Sequence, residues 1–89
     1  MPSQFLHIEE CTHLRDYLLL VRFNNGDICE VDLSSELHGE VFEPLRSPAA
    51  FKAFHLSKDT GTVEWDNGAD FAPEFLHEIG KAVPRGRTQ

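Results

Sequence analysis

Residues 17–33 carry the clearest pattern in the chain. Leu19, Val21 and Phe23 alternate with Leu20 and Arg22, which predicts a strand, and residues 28–33 predict a second. Between them lies Asn24-Asn25-Gly26. Asn and Gly tolerate the positive φ of tight turns, so the segment reads as a β-hairpin. Two registers compete. A two-residue loop at Asn25-Gly26 pairs Phe23 with Ile28 and puts Glu30 and Asp32 on the face of Val21 and Leu19. A three-residue loop shifts the pairing by one. It gathers Tyr17, Leu19, Val21, Phe23, Cys29, Val31 and Leu33 on one face, leaving Leu18, Leu20, Arg22, Ile28, Glu30 and Asp32 on the other. A one-residue slip turns a whole strand over, so the segregated arrangement is expected.

The remaining pattern is shorter in range. Residues 4–9 predict a first short strand, and Cys11–Asp16 a polar connection. Residues 34–46 predict a loop turning at Gly39, with Val41, Phe42 and Leu45 tucked under the sheet. Ser47-Pro48 opens a helix: Ser can cap free N–H groups and Pro suits the first helical position. Phe51 and Phe54 mark its buried side. Residues 55–57 and 62–65 predict two strands joined by Lys58-Asp59-Thr60-Gly61, and a second Asn-Gly turn at Asn67-Gly68 leads into a last strand over 69–71. Pro73-Glu74 opens a final helix with Phe75, Leu76 and Ile79 as its apolar stripe, ended by Gly80. The fold class is α+β: an antiparallel sheet of about four to five short strands built from hairpins, with two short helices. One domain is expected over residues 1–80, with a disordered basic tail over 81–89. The expected core is Leu19, Val21, Phe23, Val31, Leu33, Phe51, Phe54, Val63, Trp65, Phe75 and Leu76.

Charge narrows the function classes. All fifteen acidic residues lie within residues 1–79 beside five of the eight basic ones, leaving that part at −10, while Lys81, Arg85 and Arg87 make the remainder +3. A body this acidic repels phosphate backbones, so direct nucleic-acid binding by the folded part is not expected. The charge serves solubility, or docks a basic protein partner. No apolar run approaches the length of a bilayer span, and the N-terminus lacks a signal-peptide pattern, so a cytoplasmic location and no membrane partner are expected. Two cysteines, Cys11 and Cys29, are too few for a disulfide scaffold and lack Cys-x-x-Cys spacing.

The order of these segments resembles a known family. Tyr17, Leu19, Val21 and Phe23, then Asn-Gly-Asp, Val31-Asp32-Leu33, Phe42, Leu45, a Ser-Pro helix with Phe51, and finally Trp65-x-Asn67-Gly68-Ala69-Asp70 and Pro73-Glu74 look like the small bacterial family called domain of unknown function 2442. The resemblance spans residues 5–79, and the Trp-x-Asn-Gly-Ala-Asp segment is its most specific part. It implies a compact α+β module with no assigned catalysis. Some members are encoded beside small toxin-like proteins, which implies antitoxin or accessory roles; others continue into a helix-turn-helix. No further helical pattern follows Gly80 here, so the transcription-factor role of such longer relatives is not expected. Ala72 stands where a capping Ser or Asp would be expected before Pro73.

Candidate chemistry is sparse. Asp66 and Asp70 flank the second Asn-Gly turn and invite an acid–base reading. Turn geometry explains Asp66, Asn67, Gly68 and Asp70 at least as directly. His7, Cys11 and His13 are a conceivable metal set, but a strand end and a polar loop would scatter them. No nucleophile signature or phosphate-binding glycine loop is present. No catalysis, cofactor or metal is therefore expected. The mixed face of the first hairpin is more informative, because a solvated sheet face should be mostly polar. Either a helix covers Leu18, Leu20 and Ile28, or the patch among Arg22, Glu30 and Asp32 serves self-association or a protein partner. The leading expectation is a non-catalytic protein-interaction module, antitoxin-like or accessory. The alternatives are a regulatory domain acting near nucleic acid through Lys81–Arg87, and a small ligand binder or enzyme at Trp65–Asp70.

Overall fold

The computed structural model describes residues 5–83. Its organising element is the central hairpin of β2 (Leu18–Phe23) and β3 (Ile28–Asp32). The pairing is Val21 with Cys29 and Leu19 with Val31, the register of the three-residue loop. The Phe23 N–H donates to the Asp27 carbonyl at 2.9 Å and the Gly26 N–H to the Phe23 carbonyl at 3.0 Å. Gly26 closes the loop at φ 93°, a conformation that glycine adopts without a Cβ penalty. The inner face is then wholly apolar: Leu19, Val21, Phe23, Cys29, Val31 and Leu33 are all buried.

The segment read as a polar connection is a strand. β1 runs from Ile8 to Arg15 and pairs antiparallel with β2 through a two-residue turn at Asp16-Tyr17. Asp16 sits at φ 44°, a left-handed conformation that Asp tolerates better than most residues. The strand escapes a periodicity reading because its register shifts twice, between Ile8 and Glu10 and between His13 and Arg15. Each shift inserts one extra residue and breaks the alternation.

The remaining elements form a second layer. A 3₁₀ turn (Glu43–Arg46) leads into α1 (Pro48–Phe51), followed by β4 (His55–Ser57), β5 (Thr62–Glu64) and α2 (Pro73–Ile79). β4 and β5 form a separate two-stranded sheet. The expected strand over 69–71 reduces to a single bridge between Glu64 and Asp70. Ser47 makes no side-chain cap at α1, and Ala72 makes none at α2; proline at the first helical position starts both helices. An aromatic chain fills the space between the layers. Phe51 meets the Tyr17 ring edge-on at 5.1 Å and Trp65 at 5.8 Å, and Phe71 stacks on Phe42 at 4.7 Å. The Trp65 indole N–H donates to the Phe51 carbonyl at 2.9 Å, and the Thr62 hydroxyl to the Phe71 carbonyl at 2.6 Å, so the buried polar groups here have partners.

Most of the expected core is buried, but Phe54 and Phe75 are half-buried, and Ile8, Cys29, Leu37, Leu45, Ala69 and Phe71 complete it. Val41, expected beneath the sheet, is exposed. Lys81 and Ala82, read as the start of a tail, form β6 against Glu30 and Cys29. The large sheet thus has the order β1-β2-β3-β6. The rest of the proposed tail from Pro84 onward lies outside the described residues.

Gly80, the residue that ends α2, has φ −73° and so is not required for a left-handed turn. It is required for space. A Cβ there would lie 2.8 Å from the Cys29 Cβ and 3.2 Å from the Val31 Cγ2, because the end of α2 is pressed against β3. Gly80→Ala is therefore expected to cost about 1–3 kcal/mol as overpacking. Each kcal/mol lowers Tm by about 4–8 °C in a domain of this size. A thermal melt followed by circular dichroism measures it, and an unchanged Tm would contradict the close approach.

Candidate functional site

Among the described residues, no element forms a layer over the face of the large sheet opposite the core. The strand alternation places Leu18, Leu20 and Arg22 of β2 there, with Ile28, Glu30 and Asp32 of β3 and Glu10 and Thr12 of β1. Leu18, Leu20, Arg22 and Ile28 are only half-buried, and Glu10, Thr12, Glu30 and Asp32 are exposed. Of the two expected alternatives, a covering helix is not found among the described residues. α2 ends against Cys29 and Val31, and α1 places Phe51 against Tyr17 and Trp65, so both helices lie on the inner side. The Cα atoms span 37 × 35 × 18 Å, a depth that accommodates two layers and not three.

Its charges are arranged around the apolar strip. Arg22 reaches back to β1, with Nη1 3.1 Å from Glu9 Oε1 and Nε 3.3 Å from Glu10 Oε1. The Glu10 hydrogen bond, then the charges of Glu10 and Glu9, hold the guanidinium pKa above its usual value. All three side chains are well exposed, so the fork orients them and adds little stability. On the other flank, Glu30 and Asp32 face a cleft of about 650 Å³ lined also by Arg15, Leu18, Ile79 and Lys81. Asp32 accepts the Ser34 N–H at 2.9 Å. Leu14, 39% exposed, extends the apolar strip onto β1. Leu14, Glu9, Glu10, Arg15 and Lys81 are members that the sequence reading missed. β1 was hidden by its register shifts, and the only sequence signal for Lys81 was its proximity to the end of α2.

The segment 65–70 is occupied with its own structure. Trp65 is buried. Its N–H donates to the Ala69 carbonyl at 2.9 Å, and the Gly68 N–H donates to the Trp65 carbonyl at 2.9 Å. Asn67 accepts the Ala69 N–H at 3.1 Å and donates from Nδ2 to the Val41 carbonyl at 2.9 Å. Gly68 takes φ 94°, which the tight turn requires. Asp66 and Asp70 are exposed at its ends. Of the group Trp65, Asn67, Gly68 and Asp70, three therefore serve this turn directly, and Asp70 bridges to Glu64.

Several histidines are also engaged locally. His77 lies edge-on to Phe23 and places Nε2 2.7 Å from Asp27 Oδ2, tying α2 to the β2–β3 loop. His13 Nε2 is 2.9 Å from the Asp16 carbonyl. Among the described residues no group of three or more His, Cys, Asp or Glu is placed to hold a metal ion. An open groove of about 750 Å³ runs between Phe5, Leu6 and Ile8 on one side and Leu56 and Pro73 on the other. Burial pushes the Cys11 thiol up from 9.0 to about 12. Burial, and then the nearby Asp27 charge, also raise Cys29. Such thiols are poor nucleophiles, since the thiolate is the reactive form.

The model of the family described as "Protein of unknown function (DUF2442)" matches residues 8–82. No curated protein and no solved structure matches the chain. No helix among the described residues is long and apolar enough to cross a membrane.

Two outcomes follow from this geometry. Asn67→Ala removes both side-chain hydrogen bonds of the turn and is expected to cost about 1–2 kcal/mol in urea unfolding; no loss would mean that Asn67 is free for another role. Iodoacetamide at mildly alkaline pH should alkylate the native protein at least tenfold more slowly than the unfolded chain. Because the folded-state pKa of Cys11 lies above its unfolded value, its contribution to stability is fully present below pH 9 and is lost as pH rises toward 12. Equal alkylation rates would overturn this.

Proposed function

The chain belongs to the family described as protein of unknown function DUF2442, and from its geometry we propose that it is a non-catalytic protein-interaction module that receives a basic amphipathic helix of a partner on the outer face of its large sheet. The observation that carries the reading is the strip of Leu14, Leu18, Leu20 and Ile28, which no element among the described residues covers, flanked by Glu10 on one side and by Glu30 and Asp32 on the other. An antiparallel sheet exposed to water on one face normally shows polar residues there. A helix laid across the strip presents apolar side chains at i, i+3, i+4 and i+7 to the leucines, and lysines or arginines at its margins to the carboxylates.

The charge distribution supports a basic protein over a nucleic acid. Residues 1–79 carry −10, which accelerates encounter with a cationic segment and opposes a phosphate backbone. In this role the chain is the acidic member of a pair, as an antitoxin or accessory protein is. We place it in a bacterial cytoplasm, where Cys11 and Cys29 stay reduced. Chemistry at Trp65–Asp70 is the less favoured reading, because the turn's own hydrogen bonds account for Trp65, Asn67 and Gly68.

Titrating the ¹⁵N-labelled protein with a helical peptide of leucine and lysine at amphipathic spacing tests the reading. Shift changes are expected at Leu18, Leu20, Ile28 and Glu30. Affinity should fall at least tenfold with Leu20→Glu and should weaken as salt is raised. Changes confined to other surfaces, or binding indifferent to Leu20→Glu, would overturn it.

A further inference from the structure

We propose that β1 pairs antiparallel with β1 of a second copy, about a two-fold axis at Thr12, joining two four-stranded sheets into one. β1 stands at the edge of the sheet, and the direction of its free backbone groups follows from the ladder. The Phe23 N–H bonds to Asp27 and the Leu33 N–H to the Tyr17 carbonyl, so the odd-numbered residues of β2 spend their backbone groups on β3. Antiparallel alternation assigns Leu18, Leu20 and Arg22 to β1; the bond from Asn24 N–H to the His7 carbonyl continues the same series. Thr12 and Glu10, opposite Leu20 and Arg22, therefore bond inward, and Cys11 and His13 aim their N–H and C=O groups away from the sheet. Ile8 has the same outward setting, and its N–H is taken by the Gly61 carbonyl at 2.7 Å. The β4–β5 turn thus closes the start of the edge, and among the described residues no strand pairs with the stretch around Cys11 and His13.

Charge selects both the partner and the register. Three symmetric pairings match outward groups to outward groups, with the axis at Cys11, Thr12 or His13. An axis at Cys11 drives Leu14 and Arg15 into Ile8 and His7, where Gly61 already sits. An axis at His13 sets Asp16 against Glu10. The axis at Thr12 pairs Cys11 with His13 and, at the ends of the ladder, brings Arg15 of one copy toward Glu9 and Glu10 of the other, opposite charges. A second copy of this chain supplies that pattern by construction, because the acidic start and the basic end of one strand are complementary when it is reversed. The irregularities that flank residues 10–13 bend the ribbon at both ends. They hold the contact to a short central ladder, and a two-fold pairing uses each β1 once and closes.

Disulfide trapping tests the proposal on the full chain. At the axis the two Thr12 residues form a non-hydrogen-bonded pair with Cα atoms about 4.5 Å apart, within reach of a disulfide. Thr12 is exposed, whereas Cys11 is half-buried and Cys29 buried, so the native thiols compete poorly. Thr12→Cys is expected to give a reducible dimer under mild oxidation at least tenfold more readily than Leu14→Cys. Sedimentation of the wild-type chain should shift with concentration from 10.1 kDa toward twice that mass. His13→Pro removes an N–H that the ladder alternation aims away from β2; beside a His13→Ala control, which loses the same side-chain contacts, it should keep the control's circular dichroism and abolish both signals. Equal trapping at positions 12 and 14, trapping that survives His13→Pro, or a monomer at every concentration would overturn the proposal.

Discussion

One loop decides which side chains face the core. The three residues Asn24-Asn25-Gly26 set Val21 against Cys29 and Leu19 against Val31. With one residue fewer, β3 would turn over, burying Glu30 and Asp32 and exposing Cys29, Val31 and Leu33. Burying two unpaired carboxylates costs far more than any turn preference can return. The register therefore follows from the side chains, with the loop conformation chosen to serve it. Everything beneath the sheet depends on that choice: Gly80 can press α2 onto Cys29 and Val31 only because those side chains point its way.

The central hairpin and its two faces were legible in the sequence because both signals are local and agree. β1 was not legible. Cys11 and His13 point inward and Thr12 outward, which is a strand's alternation, but only four residues separate the irregularities on either side. Four polar residues do not establish a period. β6 was equally hidden, since Lys81 and Ala82 are strand only by virtue of β3 beside them. The same holds for the candidate face. Leu18, Leu20, Arg22, Ile28, Glu30 and Asp32 were placed on it from sequence, while its contribution from β1 and the absence of a covering helix needed the tertiary arrangement. Helix direction is a property of the connections, and the connection from β3 to α1, through Leu37 and Leu45, leads under the sheet because those two leucines are buried there.

The second Asn-Gly turn illustrates how a distinctive motif arises without chemistry. Trp65 needs a partner for its indole N–H once it is buried, and the Phe51 carbonyl provides it. That bond joins the residue after β5 to α1. Asn67 then ties the turn to Val41, which fixes the long loop over the same aromatic cluster. The most specific residues in this segment are therefore those with the most geometric obligations, and specificity of sequence alone does not mark a reaction centre.

The two surfaces proposed here belong to one sheet, and that has a consequence for how they act together. Pairing β1 with its symmetry mate carries the ladder from one copy into the next, so the two outer faces continue into each other with only the ordinary twist between neighbouring strands. Each copy then offers its own strip of Leu14, Leu18, Leu20 and Ile28, and a partner presenting two helices gains from effective concentration without any new contact. The charges permit this. Arg22 holds Glu9 and Glu10 within one copy, and Arg15 of the second copy would approach the same carboxylates. Exposed pairs of this kind are worth about 0–1 kcal/mol each, so the carboxylates can be shared between Arg22 and the incoming Arg15 at small cost. The fork is thereby a contact that tolerates both the single and the paired state of β1, whereas a buried ion pair at the same position would have fixed only one.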